Sequence, residues 1–189
     1  MWSGWRTATA ASDARRLVHI GAGTNLGDRR ANLAAALRAL TDLGEIAAVS
    51  SVYETDPVGD PDQPVFWNLA VRLRTVLEPL PLLAALKRVE QRLGRRPTHR
   101  FGPRVIDLDL LLDARYRVVS PELEVPHPRM MERAFVLLPL AELDPALVHP
   151  VTGVRIADRL AAGGLERAVR LFAGVELLPD RDAAHAPRS

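Results

Sequence analysis

The chain predicts an α+β domain with a ferredoxin-like β-α-β-β-α-β core, an antiparallel sheet with helices packed on it, and a C-terminal appendage. Three observations carry this. Short β-branched and leucine-rich runs alternate in the order strand, helix, strand, strand, helix, strand. The two helical segments each show an apolar stripe of period 3.6 and close at a glycine. The last strand of the core, 105–112, follows Gly102-Pro103, which breaks any preceding helix and favours an extended lead-in.

Taken in order, residues 17–21 form a first apolar strand. Gly21-Ala22-Gly23-Thr24-Asn25-Leu26-Gly27-Asp28 is a loop. It lacks the Gly-Lys-Ser/Thr of a P-loop and the dinucleotide-binding glycine spacing. Asp28 caps the next helix, whose apolar positions include Ala31, Leu33, Leu37 and Leu40, with Gly44 at its end. Residues 46–53 form a second strand. Three prolines and a glycine between 55 and 64 make a long loop, and long loops in compact domains are often functional. A third strand over 65–73 places Phe66, Asn68, Ala70 and Arg72 on one face. Asn68 is either a satisfied polar group in a sheet or a ligand reader; position alone leaves both open. Pro79 or Pro81 opens a helix striped by Leu82, Leu83, Leu86, Val89 and Leu93, and Gly94 closes it. A basic loop, 95–99, leads to the central strand. Beyond it lie a hairpin at 115–119, an extended 123–129, a helix over 130–140 and a short one over 157–160. The run 169–178 has strand-like content.

The chemistry concentrates in Arg100-Phe101-Gly102-Pro103-Arg104-Val105-Ile106-Asp107-Leu108-Asp109. Residues i and i+2 of a strand share a face, so Asp107 and Asp109 point the same way, about 6.5 Å apart along the chain. Like charges so placed repel unless a cation lies between them, and a divalent metal is the usual answer. Arg100 and Arg104 stand ready for phosphate oxygens. Carboxylates for metal with guanidinium groups for anion describe phosphoryl transfer. A solvated strand face is the ordinary reading of two acidic residues; the arginine-rich lead-in and the apolar opposite face of Ile106, Leu108, Leu110 and Leu112 favour a site.

Composition sets the bounds. At 189 residues, 48% hydrophobic and 25% charged, the chain suits one globular domain. We expect this domain over 17–180, with a disordered N-terminal extension over 1–16 and a disordered tail over 181–189. The net charge of +2 gives no global attraction to nucleic acid or membrane. Arg92, Arg95, Arg96, Arg100 and Arg104 instead form a local patch suited to a small polyanion. The absence of cysteine excludes disulfides and thiolate chemistry and agrees with a reducing cytosol. No apolar run reaches the length of a membrane span.

On these residues the chain resembles the 6-hydroxymethyl-7,8-dihydropterin pyrophosphokinases of folate biosynthesis. The matching segments are Gly23-Thr24-Asn25-Leu26-Gly27-Asp28, Ser50-Ser51-Val52-Tyr53-Glu54-Thr55 with Pro57, Asp62-Gln63-Pro64 with Asn68, Arg100 through Leu112, and Val125-Pro126-His127-Pro128. The resemblance implies transfer of a diphosphoryl unit from ATP to a pterin hydroxymethyl group, in the cytoplasm, by a monomer whose partners are the small molecules pterin and ATP, with no nucleic-acid or membrane partner. It implies two magnesium ions on Asp107 and Asp109, and charge neutralisation by Arg95 and Arg104. Arg100, His127 and Arg133 would hold the triphosphate, with Glu90 and Leu110 near the nucleoside. Phe66 and Phe135 would stack on the pterin, Asn68 would read its edge, and Thr55, Asp56, Val58 and Phe101 would complete the pocket. Asp56 stands where the family often has proline, and Pro97 where many relatives carry a second loop arginine. Two rival classes are weighed: an RNA-binding module, for which the required aromatic motif is missing at 5% aromatic content, and a metal-dependent phosphodiester hydrolase using the same carboxylates.

Overall fold

The computed structural model describes residues 15–57, 62–96, 102–165 and 169–173. Its frame is an antiparallel sheet. β1 (Arg16–Thr24) lies between β4 (Phe66–Thr75) and β5 (Asp107–Asp113), and β4 continues to β3 (Val52–Thr55) and then β8 (Val169–Ala173). β2 (Glu45–Val49) also pairs with β4, beyond the β3 register. The second predicted strand is thus two strands, separated at Ser50-Ser51. Ser50 bonds to Ala70 there twice, by its own N–H to the carbonyl and by accepting the Ala70 N–H on Oγ. A separate hairpin pairs β6 (Val118–Val119) with β7 (Glu124–Val125), so the turn falls later than expected.

The strand expected from Leu17 begins at Arg16, which is 5% exposed. Its Nε donates to Asp113 Oδ2 at 2.6 Å, fastening the start of β1 to the end of β5.

Alternation along the strands decides what each face carries. Val18, Ile20 and Ala22 of β1, Leu69, Val71 and Leu73 of β4, and Leu108 and Leu110 of β5 face one way. Two helices cover them. α1 (Arg29–Leu40) starts where Asp28 accepts the Ala31 N–H at 2.9 Å and buries Leu33, Ala36, Leu37 and Leu40. Gly44 follows it not for a left-handed turn but for contact: a Cβ there would lie 2.2 Å from the Arg74 carbonyl oxygen. α2 (Pro79–Arg92) buries Leu82, Leu86 and Val89, each worth roughly 2 kcal/mol. Gly94, at φ +92°, ends the chain's course out of α2.

The opposite face is not bare. A one-turn 3-10 helix (Met130–Glu132) and α3 (Ala134–Leu143) replace the single helix expected over 130–140. The break is at Arg133, whose backbone is extended. α3, with α4 (Ile156–Ala161), packs Val136, Leu137, Leu140 and Ile156 against Ala70, Leu111 and Leu112. Helices therefore lie on both faces.

Leu112 corrects the simple alternation. β5 pairs His19 with Leu112 but Ile20 with Leu110, so Leu111 is an extra residue in the ladder. The bulge turns Leu112 away from the α1/α2 core and into the α3 cluster.

Candidate active site

The face between β5, β1 and β4 that α3 leaves uncovered is a cavity of about 320 Å³. Its floor is β1, where Gly21 and Gly23 take the cavity-facing positions. A Cβ on Gly23 would come within 3.1 Å of Asn68 Oδ1, so the missing side chain leaves the Asn68 amide its room. β5 supplies Asp107 and Asp109 on one side of this floor. β4 supplies Phe66 and Asn68 on the other. With β1 between them, the two groups stand roughly 10 Å apart across the sheet.

Asp107 is the more enclosed carboxylate. Arg95 Nη1 donates to its Oδ1 at 2.5 Å, and Arg104 Nη1 donates to its Oδ2. Burial alone would raise its pKa, but Arg104, Arg95 and Lys87 overcome that and hold it below the usual carboxylate range. Asp109 projects further into the cavity, 40% exposed at its side chain, with Lys87 Nζ 3.7 Å away.

The loop around Asn25 places Arg104. Asn25 is 1% exposed. Its Oδ1 accepts the Arg104 N–H at 2.7 Å, its own N–H donates to the Arg104 carbonyl at 3.0 Å, and its Nδ2 donates to Gln63 Oε1 and the Pro64 carbonyl. Thr24 Oγ1 donates to the Val105 carbonyl at 2.6 Å. One buried asparagine thus joins the Gly-Asn loop, the proline-rich loop and the approach to β5.

α2 meets the site from the side, because β5 is the edge of the sheet. The outward N–H of Leu108 donates to Glu90 Oε1 at 2.6 Å, and its outward carbonyl accepts from Lys87 Nζ at 3.1 Å. These contacts close the edge strand with side chains. Glu90 is 2% exposed and also pairs with Arg95 at 2.5 Å. Burial pushes its pKa up against the pull of Lys87, the Leu108 N–H and Arg95. The same two carboxylates offset the cost of burying Arg95 and raise the pKa of its guanidinium. Arg96 is exposed.

A further wall comes from the segment 127–135, which is joined to β5. The Val125–Pro126 bond is cis. The His127 N–H donates to the Leu111 carbonyl at 2.8 Å, and its Nδ1 accepts the Arg129 N–H at 3.2 Å. Burial lowers the His127 pKa, with Asp109 opposing and Arg133 adding to the effect. Arg133 lies over the Phe135 ring, 5.7 Å from its centroid. Asn68 Nδ2 donates to Thr55 Oγ1 at 3.0 Å. Asp56, beside Thr55, pairs with Arg170 of β8 at 3.2 Å.

Of the residues singled out from sequence, Arg95, Arg104, Asp107, Asp109, His127, Arg133, Thr55, Asp56, Phe66, Asn68 and Phe135 line this one cavity. Val58, Arg100 and Phe101 lie outside the described residues, as does Pro97. Two others do not line it. Leu110 is packed in the α1/α2 core, because its parity is opposite to that of the aspartates. Glu90 lies in the wall behind Asp107 and does not line the cavity. Lys87, Arg129 and Glu132 line it without having been singled out. Only for Lys87 does the sequence hold a signal: it stands three residues before Glu90, on the same face of α2.

An acidic pair ringed by guanidinium and ammonium groups thus lies beside an aromatic and amide surface on an open sheet face of an α+β domain, a lining suited to a polyanion. The family is more specific. Residues 19–145 match the model of the 7,8-dihydro-6-hydroxymethylpterin-pyrophosphokinase family. The chain is 46% identical over 129 residues to the 2-amino-4-hydroxy-6-hydroxymethyldihydropteridine pyrophosphokinase of Bacillus subtilis (strain 168), covering 67% of this chain and 77% of that one. It is 43% identical over 164 residues to the protein of the same name from Pseudomonas aeruginosa, covering 86% of this chain and 96% of that one. A crystal structure of wild-type Plasmodium falciparum HPPK-DHPS with STZ-DHP shares the fold at a TM-score of 0.66 and 16% identity, covering 81% of this chain and 44% of that longer one. The chain belongs to the 7,8-dihydro-6-hydroxymethylpterin-pyrophosphokinase family.

Proposed function

We propose that this chain transfers the β,γ-diphosphoryl group of ATP to the hydroxymethyl group of 6-hydroxymethyl-7,8-dihydropterin, releasing the pterin diphosphate and AMP, a step of folate biosynthesis. The observation that carries the reading is the single cavity with Asp107, Asp109, Arg95 and Arg104 on one side of a glycine floor and Phe66 and Asn68 on the other. Family membership supplies the identity of the two substrates.

The residues divide the work accordingly. Arg95 and Arg104 neutralise charge on the diphosphoryl unit as the bond from the α-phosphate oxygen to the β-phosphorus breaks and the pterin oxygen takes its place. His127 and Arg133, with Arg100, hold the remaining triphosphate oxygens. Phe66 and Phe135 take the two faces of the pterin ring, and Phe101 adds to that pocket. Asn68, steadied by Thr55, reads the ring edge, and the backbone of Thr55, Asp56 and Val58 completes the edge contacts. Asp107 orients the hydroxyl. Glu90 and Leu110 act near the nucleoside from behind the wall, Glu90 also fixing Arg95 and Leu110 packed in the core beneath.

Asp107 and Asp109 suit magnesium by donor chemistry, being hard oxygens on one face, with Asp109 open to the cavity. Among the described residues no cluster of three or more histidine or acidic side chains could hold a metal. That fits an ion which keeps its waters and takes substrate phosphates as further ligands, not one in an all-protein cage. Two magnesium ions held by this pair would neutralise the triphosphate and polarise its oxygens.

We further read the strand order as the ferredoxin-like split pattern, with β8 and α4 in its C-terminal appendage, and 17–180 as one domain. A cytoplasmic monomer without nucleic-acid or membrane partners is part of the same reading. The local rather than global basic charge supports it, and among the described residues no helix is long and apolar enough to cross a membrane.

The test is incubation with ATP, hydroxymethyldihydropterin and magnesium, with products separated. AMP and pterin diphosphate should form in equal amounts. ADP or inorganic phosphate alone, or turnover without pterin, would refute the transfer.

A further inference from the structure

Lys87 is a cation that stands within ion-pair distance of both aspartates but hydrogen-bonds to neither. Its Nζ is 2.8 Å from Glu90 Oε1 and 3.1 Å from the Leu108 carbonyl oxygen. Both partners are fixed, Glu90 by burial and Leu108 by the β5 ladder. The same Nζ stands 3.7 Å from Asp109 Oδ1 and 4.0 Å from Asp107 Oδ1, beyond hydrogen-bond length from either. Arg95 and Arg104 differ in that they hydrogen-bond directly to Asp107, Arg95 while also paired with Glu90. A cation tethered to Glu90 and Leu108 stays when a second cation arrives, and it repels that cation at short range.

The geometry points to Lys87 as a positioning residue that weakens divalent-metal binding to the free protein. The metal then enters with the triphosphate, whose negative charge offsets the ammonium. This inference rests on the metal reading of Asp107 and Asp109 given above.

Mn2+ binding followed by the electron paramagnetic resonance signal of the free ion tests it without turnover. Lys87→Gln removes the charge and keeps a donor for Glu90 and Leu108. It should bind Mn2+ about tenfold more tightly than the unaltered protein when no nucleotide is present. With a non-hydrolysable ATP analogue bound, the gain should shrink to less than about threefold. Lys87→Arg, which keeps the charge, should behave as the unaltered protein does. Unchanged or weaker Mn2+ binding by folded Lys87→Gln, or a gain equal with and without nucleotide, would overturn the role of Lys87. A thermal melt of each variant confirms that it is folded, and Lys87→Met serves in place of Lys87→Gln if that variant does not fold. Asp109→Ala separates the two layers: if it binds Mn2+ as the unaltered protein does, the metal reading itself fails.

Discussion

His19 should make this fold acid-sensitive in a definable window. It sits in β1 on the α3 side of the sheet, opposite Arg72 of β4, 7% exposed. Its Nε2 is buried and has no hydrogen-bond partner among the described residues. Desolvation, then the neighbouring Arg72 charge, lower its pKa from 6.5 to about 4; Asp144, just past α3, opposes them. Between these values the unfolded chain binds a proton that the folded one refuses. Stability is therefore full above pH 6.5 and falls as the pH drops towards 4. At about 1.4 kcal/mol per pH unit, the contribution lost by pH 4.5 is about 2.5 kcal/mol. Burial also lowers the pKa of His127 and His149, which adds to the same slope. The clean measurement is thus a difference. Urea unfolding of the unaltered protein and of His19→Leu at pH 7.5 and pH 4.5 should show the variant losing about 2.5 kcal/mol less on acidification. A difference under about 0.5 kcal/mol would mean that the folded state accepts the proton at His19, and the argument from its burial would be wrong.

Two further predictions concern the site. Asn68→Ala should weaken pterin binding by roughly 1–3 kcal/mol, because it leaves polar edges unpaired, while calorimetry with an ATP analogue shows no change; equal loss of both ligands would make Asn68 structural. Arg95→Ala should slow the single-turnover chemical step about 100-fold or more with ATP affinity nearly intact, and Arg96→Ala, exposed beyond the Asp107 and Glu90 contacts, less than about threefold; the reverse ranking would transfer the loop's catalytic role to Arg96.

What the chain discloses about its site follows from strand parity. Asp107 with Asp109, and Phe66 with Asn68, share faces because the side-chain period of a strand is fixed, whatever the strand packs against. The same rule puts Leu110 in the core, and only resemblance suggested a place for it beside the nucleoside. Parity fails at Leu112, where a bulge depends on the pairing of β5 with β1 and leaves no local mark. Glu90 and Lys87 are harder still. Their roles depend on α2 lying along an open sheet edge, and a helical stripe reports which side is buried but not what its polar flank reaches. The segment 130–140 reads as one helix by composition; the extended backbone at Arg133, a residue that lines the cavity, divides it and has no counterpart in the apolar pattern.

The cavity's lining comes from parts of the chain that are remote from one another: β1 near the start, the loop and strand around 55–68, the stretch from α2 to β5, and the segment 127–135. Among the described residues β5 joins the sheet through β1 alone, a closure across some ninety residues of sequence. Contacts so distant form only after the intervening chain has lost most of its freedom. No one of these parts carries the whole site, so ATP and pterin together select the fully assembled state. Each ligand then raises the melting temperature by mass action alone, by about 2.7 kcal/mol of added stability at a hundred times its dissociation constant. Ligand supply therefore acts on the abundance of the folded protein as well as on its turnover.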